Sequence, residues 1–295
     1  MGKYKILEDG KDFDLYDRRD QVKGTREKKF AIIYSKVMRK IRFGFFKYEK
    51  YNCSESCSEK LSYEIAKVLG IKCAKIEFAK DNAGTLGIIN YFFTNNKYKL
   101  FDAKDFFNSL EVKREEYLTI PSIKTFLDKY DKHGFECFIE MIIFDALVGE
   151  TDRHEENWGL LKAGKKYTFA PLYDNGANLL REFKDDNYAQ KYYTGVKNFN
   201  AFLLNSKAFV YEQGTKKRYK HIELIRELYN LYPNVVKRKI KKLSRLTNGR
   251  IEIILDKLPD GIITEKHKEY IKIYLKEKKK ILFGILERGE VAKNE

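Results

Sequence analysis

The chain has 295 residues, 43% hydrophobic and 15% aromatic with only 4 prolines, which supplies a buried core and excludes intrinsic disorder. Its 59 Lys and Arg outnumber 43 Asp and Glu for a formal net charge of +16, which favours phosphate-rich partners such as nucleotide, nucleic acid or an acidic membrane. No run approaches the roughly 18 apolar residues of a membrane span and the N-terminus has no apolar signal segment, so a soluble, cytoplasmic protein is expected.

The basic residues run from end to end, so a solvated surface and a dedicated polyanion site both account for them. Cys53, Cys57, Cys73 and Cys137 form no C-x-x-C pair and read as reduced packing residues. The length is great for one core and short for two independent domains, which predicts two lobes sharing a cleft.

In chain order, residues 1–20 are polar with scattered aromatics and read as an irregular lead-in. Next comes KGTREKK, where Gly24 and Thr25 suit backbone approach to phosphate and Lys28 adds charge; an ordinary basic turn has the same composition. From 30 to 48, FAIIYSKV and IRFGFFKY flank a basic turn and predict a hairpin. Lys47 ends it, placed either to reach nucleotide phosphates from a roof or to guard an edge strand. SEKLSYEIAKVLGI predicts an amphipathic helix with Ser58 as N-cap and Gly70 as stop. Its Glu59 or Glu64 suits a pairing with Lys47, although the helix dipole also explains an early Glu. Two strands around a turn at 82–84 follow, and the lobe boundary falls near 94–98, giving a β-rich N-lobe over 1–95 and a helical C-lobe over 96–295.

Helices are predicted at 106–110, 123–130 and 134–148, the last apolar nearly all round and therefore buried. Asp145 within it is expected to hydrogen-bond the loop backbone. Residues 181–213, rich in Asn, Lys and Tyr, read as a substrate-facing activation-type segment. Helices are predicted at 221–232, 235–246, 250–258 and 264–286, with Thr264 as a cap after the LPDG break.

The chemistry concentrates in FDALVGETDRHEENWGLLKAGKKYTFAPLYDNGANLL, residues 144–180. Asp152 is followed five residues later by Asn157, then a short hairpin about Gly164 and Lys165, then Asp174 before a Gly. That order suits phosphoryl transfer: the first acid orients or takes a hydroxyl proton, while Asn157 and Asp174 offer hard oxygens to a nucleotide-bound divalent ion. A lone D-x-x-x-x-N is common in surface loops; the ordered set, preceded by a strand Lys and a helix Glu, is more specific. His154 has the residue type of an acid or base, yet positioning matters more in this chemistry, so it reads as bracing the loop.

FDALVGETDRHEENWGLL and APLYDNG resemble the catalytic core of the HipA-like protein kinases, and GTREKKF, FGFFK, SEKLSYEIAKVLGI and LPDGIITEKHKEYI resemble that family's other blocks, spanning roughly residues 23–285. The resemblance implies an α+β, two-lobed kinase fold and a bacterial, ATP- and Mg²⁺-dependent protein Ser/Thr kinase that autophosphorylates. It makes Asp152 the catalytic base, Asn157 and Asp174 the Mg²⁺ ligands, Lys47 the phosphate lysine, and Glu59 rather than Glu64 its partner. Gly24, Thr25 and Lys28 fall in the nucleotide-contacting loop, where the resemblance implies that Thr25 is itself phosphorylated with loss of nucleotide binding. Short stand-alone members also imply translocation into host cells without a signal peptide.

Departures from ordinary kinases are plain: there is no G-x-G-x-x-G, H-R-D or A-P-E, and Asn175 stands where D-F-G has Phe. An extra N-terminal module of the full-length HipA toxins is expected to be missing, with its DNA-bound antitoxin partnership. A phosphoinositide-type lipid kinase shares D-R-H-x-x-N and suits a basic surface. A catalytically inactive nucleic-acid-binding module is the alternative from another class.

Overall fold

Strand-forming residues over the first 91 positions build a six-stranded sheet. The computed structural model describes residues 2–16, 28–35, 40–49, 53–107, 112–182 and 196–291. The sheet runs β1 (Ile6–Glu8), β5 (Ile76–Lys80), β6 (Leu86–Tyr91), β4 (Lys40–Tyr48), β3 (Lys28–Ser35), β2 (Phe13–Tyr16). The expected hairpin is β3–β4, in a register that sets Phe30 opposite Phe45, Ile32 opposite Phe43 and Lys28 opposite Lys47.

The lead-in is not irregular, which corrects the sequence expectation. β1 pairs in parallel with β5 and β2 pairs with β3, and Leu7 and Phe13 bury into a small core with Ala31, Ile33, Phe46 and Ile89. Strands of three and four residues carry too few alternations for a two-residue period to show.

Strand pleating puts Lys47 on the face opposite that core. On Lys47's side, Ile88 and Phe78 lie across the neighbouring strands and pack with Leu61 and Ile65 of helix α1 (Glu55–Leu69). The helix begins before the predicted cap. Ser54 occupies the N-cap and Ser58 lies inside the first turns, its Oγ donating to Asn178 O at 2.9 Å. Gly70 ends the helix at φ 70°, as expected.

After β6 a second, three-stranded sheet forms from β7 (Lys99–Asp102), β8 (Gly159–Ala163) and β9 (Lys166–Phe169). The β8–β9 hairpin was legible; β7, its partner from sixty residues upstream, was not. Short helices α2 (Ala103–Phe107) and α3 (Arg114–Tyr117) lead to α4 (Ile120–Tyr130) and the apolar α5 (Gly134–Val148). α5 is the axis of the C-terminal part, packed against α4, α7 (His221–Leu231), α8 (Pro233–Lys241) and α10 (Glu265–Val291). It stops at Gly149, φ 78°, where an added Cβ would lie 2.2 Å from Tyr274 Oη; only glycine turns the chain there.

The segment expected to face substrate contains α6 (Val196–Leu204) and strand β10 (Lys207–Tyr211), which pairs with β11 (Arg218–Lys220); residues 183–195 lie outside the described set. A 3₁₀ turn (Lys242–Arg245) and α9 (Asn248–Asp256) precede α10, whose N-terminus is capped as predicted by Thr264 Oγ1 accepting from His267 N at 3.1 Å. The four cysteines are free thiols, and no helix of the described residues is long and apolar enough to cross a membrane.

Lys278 of α10 is fully buried, donating to Leu203 O at 2.5 Å and lying 3.4 Å from Ser206 Oγ. Burial pushes its pKa from the ordinary 10.5 down to about 7. The unfolded chain therefore binds more protons between those values, so this group's destabilisation is complete below about pH 7 and is relieved as pH rises. Lys278→Met should remove that rise: urea unfolding of wild type and variant from about pH 7 to about pH 8.5 should differ in slope by up to about 1.4 kcal/mol per pH unit. Parallel stability curves would contradict it.

Candidate active site

Lys47, Glu59 and Asp174 meet at the junction of the sheet, α1 and the loop after β9. Lys47 Nζ lies 3.0 Å from Glu59 Oε1 and 2.6 Å from Asp174 Oδ1. Burial lowers the Lys47 pKa, but the two carboxylates outweigh it and hold the ammonium above the ordinary lysine range. Burial pushes Glu59 up, only partly countered by Lys47. Glu64, the other candidate partner, instead accepts from Lys60 at 2.8 Å.

The turn after α5 is organised by a side chain that the sequence reading passed over. Arg153 is buried, with Nε and Nη2 donating to the Asp145 carboxylate at 3.0 and 2.9 Å. Its Nη1 donates to Asn157 O at 3.1 Å and Tyr173 O at 2.6 Å, and Nη2 to Asn175 Oδ1 at 2.5 Å. Asp145 thus grips the loop through Arg153 rather than through backbone N–H groups, a correction to the expectation; a carboxylate this deep needs a cation, and Arg153 supplies a planar fork. The one guanidinium joins the turn carrying Asp152 to the loop after β9 that carries Asp174.

Asp152 projects from this turn with its side chain 57% exposed. Its carbonyl accepts from Asn157 Nδ2 at 2.8 Å, a bond that spans the five-residue spacing. His154 braces the turn, with Nδ1 accepting from Glu156 N at 3.3 Å and Nε2 3.3 Å from Asn157 Nδ2.

Glu150 and Asn178, neither singled out in the sequence, tie the parts together. Glu150 accepts from Asp152 N at 2.9 Å through Oε1, and from Asn178 Nδ2 at 3.0 Å and Ala177 N at 3.2 Å through Oε2. Asn178 also donates to Asn175 O at 2.7 Å and accepts from Ser62 Oγ of α1 at 3.1 Å. Burial, with Asp145 adding to it, pushes Glu150 up to about 7 against the opposing Arg153. These bonds hold a backbone with positive φ at Asp174 (55°), Leu179 (45°) and Leu180 (63°), conformations that cost about 1–3 kcal/mol each outside glycine. Asn178→Ala strips buried partners from Glu150 and Ser62 and should destabilise by about 2–3 kcal/mol in denaturant unfolding; a loss within about 0.5 kcal/mol would show the hub to be dispensable.

Asp152, Asn157, Asp174, Lys47 and Lys28 all line one cleft of about 1970 Å³ beneath β3 and β4, with Phe43 and Phe45 in its roof. That exceeds the roughly 300–1,000 Å³ of a small-ligand pocket and leaves room for a second substrate. With Nδ2 engaged, Oδ1 is the Asn157 atom left for a ligand; the Asp174 carboxylate is the second hard oxygen. Among the described residues no three His, Cys, Asp or Glu side chains gather as a metal cage. Two protein oxygens completed by phosphate and water is the coordination that Mg²⁺ accepts, so the donor set fits. Gly24 and Thr25 lie outside the described residues.

The pattern for the HipA-like C-terminal domain matches residues 22–230. The chain belongs to that family. It is 26% identical over 202 residues to the serine/threonine-protein kinase CtkA of Helicobacter pylori, a match covering 65% of this chain and 60% of that relative's length. The fold is that of the H. pylori proinflammatory kinase CtkA crystal structure, at a TM-score of 0.75 and 22% identity over 90% of this chain and 95% of that one. HipA from Shewanella oneidensis, in a complex with HipB and operator DNA, superposes at 0.57 with 11% identity over 92% of this chain and 68% of that chain. The architecture is the expected α+β kinase-like fold.

Proposed function

We propose that this HipA-like chain is an ATP- and Mg²⁺-dependent protein serine/threonine kinase that also phosphorylates itself. The observation that carries the reading is Lys47 Nζ held between Glu59 and Asp174 on one wall of the cleft that Asp152 and Asn157 share. Residues 1–95 act as the nucleotide-covering lobe and 96–295 as the lobe bearing the acceptor groove. The kinase name of the similar CtkA supports the reaction class.

In this reading Lys47, fixed by Glu59, binds nucleotide phosphates, with Lys28 beside it on the next strand and Gly24 and Thr25 as further nucleotide contacts. Asn157 and Asp174 hold the divalent ion, which when bound neutralises phosphate charge. Asp152 orients the acceptor hydroxyl and takes its proton. The hydrogen bonds of Arg153, Glu150 and Asn178 set these groups before substrate arrives, so little reorganisation remains for the transition state. The acceptor is a protein Ser or Thr, and the workplace is a cytoplasm, the cell's own or a host's.

The test is transfer of labelled γ-phosphate in the presence of Mg²⁺. Label should enter a Ser/Thr protein substrate and the chain itself, and should depend on Mg²⁺. Label entering phosphoinositide vesicles in place of protein would replace this reading with a lipid kinase. No turnover, with salt-dependent retention on DNA, would replace it with a binding module.

A further inference from the structure

Next to Asp152 and His154 of the cleft lining, and outside that lining, lie side chains that the proposed chemistry does not use. Phe209, half-buried on β10, meets the His154 ring nearly edge-on, with centroids 5.8 Å apart. His154 Nε2 in turn lies 4.0 Å from Asp152 Oδ1. Two guanidinium groups lie over the same Phe209 ring: Arg218 of β11 with Cζ 3.6 Å from the centroid, and Arg114 of α3 with Cζ at 5.4 Å.

The two arginines differ in how their charge is met. Arg114 Nε is 2.7 Å from Glu155 Oε1, and nearby Lys104 pairs with Glu156. Across the hairpin, Lys217 is taken by Glu212 at 2.5 Å. Arg218 makes its hydrogen bonds to neutral carbonyls alone, Nε to Ala208 O at 2.8 Å and Nη2 to Lys207 O at 3.1 Å. Among the described residues no carboxylate forms a salt bridge with it. Burial, and the like charge of Arg114, depress its pKa against the opposing pull of Tyr211 and Asp152. Stacking and two carbonyl bonds fix the plane of the fork, and its remaining Nη1 has no acceptor among the described residues. A rigid, incompletely compensated guanidinium on an aromatic ring is how proteins bind carboxylates and phosphates.

We propose that Arg218, stacked on Phe209 beside Asp152, is an anion-binding subsite of the acceptor groove that takes a carboxylate or phosphate flanking the target Ser or Thr. The proposal rests on the kinase reading for what the groove does, and it names the substrate class: acidic or already phosphorylated peptide. A neutral acceptor leaves the fork without its partner; an acidic one receives a directional, charge-assisted contact near the reacting hydroxyl. Glutamate and phosphoserine share the chemistry and differ in charge and in oxygen count.

Three fluorescein-labelled Ser-centred peptides test it, with Glu, phosphoserine or Gln at the flanking positions, titrated against the full chain at fixed ionic strength and read by anisotropy. At least one anionic peptide should bind about tenfold tighter than the Gln peptide, and whichever of the two binds tighter identifies the natural anion. In Arg218→Ala that ratio should collapse to about one, and Arg218→Lys, which keeps the charge but loses the planar fork, should fall between. Lys241→Ala removes one charge from the exposed end of α8 and should keep the wild-type ratio, which separates a subsite from general attraction by a +16 protein. Equal binding of all three peptides by wild type, or equal losses in the Arg218 and Lys241 variants, overturns the proposal. Phosphate transfer to the same peptides is scored separately: an Arg218-dependent preference without transfer would sink the kinase reading and leave the subsite standing.

Discussion

Asp152→Ala should lower phosphate transfer from ATP about a thousandfold and leave the fold unharmed. Removing a positioned general base costs roughly 10²–10⁴ in rate. The structural work at this position is done by the main chain: Asp152 N donates to Glu150, and its carbonyl accepts from Asn157 Nδ2 and His154 N. The carboxylate is more than half exposed, and its recorded contact is the long one to His154 at 4.0 Å. Deleting it removes a reactive group without unpairing a buried one, so stability should move by no more than about 0.5 kcal/mol. Single-turnover transfer and urea unfolding of the same preparation decide it. A folded Asp152→Ala that transfers phosphate at the wild-type rate would strip Asp152 of its role and reopen the choice of base.

Asp174→Ala is the less selective companion. Its carboxylate is the second partner of Lys47 at 2.6 Å, and its backbone sits at φ 55°, a region Asp tolerates better than Ala. On the proposed reading, loss of activity there mixes metal binding, lysine placement and backbone strain, whereas Asp152→Ala tests the proton-handling step alone.

The parts readable from sequence were those whose signal is local. The β3–β4 hairpin, the 15-residue apolar run of α5 and the Thr264 cap each announce themselves within one continuous stretch of chain. Asp152, Asn157 and Asp174 stood out through order and spacing, and Lys47 and Glu59 through the family resemblance; the structure brings all five to one cleft region. What escaped depends on partners distant in the chain. β1 exists because β5 offers it an edge. Ser58 looks like a cap but is drawn to Asn178, 120 residues on. Arg153 reads as one more surface cation in DRHEEN until Tyr173 O and Asn175 Oδ1, on the loop after β9, are seen to accept from it.

Part of the charge excess likewise depends on contacts distant in the chain. Several of the excess cations serve helix ends, where unpaired carbonyls carry partial negative charge. Arg245 donates to Leu69 O at the end of α1 at 3.2 Å, and Lys279 to Leu246 O after the 3₁₀ turn. A cation bonded to a carbonyl adds to the net charge without neutralising a carboxylate. A high net charge in a helix-rich chain is therefore compatible with ordinary folding needs, and Arg218 stands apart because it stacks on Phe209, whose ring meets His154 of the cleft lining.

Lys47→Met should abolish nucleotide binding and destabilise the fold by about 3–5 kcal/mol, the cost of leaving one member of a buried ion pair alone. Glu59 is 1% exposed, its Oε1 bonds Lys47, and its Oε2 has no hydrogen-bond partner among the described residues. Without the ammonium, nothing counters the burial that already raises its pKa, and the carboxyl must take up a proton or carry an unpaired charge. Because the folded-state pKa then lies above the unfolded one, the variant's stability should be greatest at low pH and fall as pH rises through the raised value, widening its deficit against wild type. Lys47→Met with Glu59→Leu removes both charges and should regain most of the lost stability, since apolar replacement of a whole buried pair is near neutral. On the proposed reading it should not regain ATP binding, because the lysine assigned to the phosphates is still missing. A double variant as unstable as the single one would place the cost outside this pair. One that bound ATP normally would take Lys47 out of the nucleotide site, leaving Lys28, its neighbour across the strands, as the remaining described lysine in the roof.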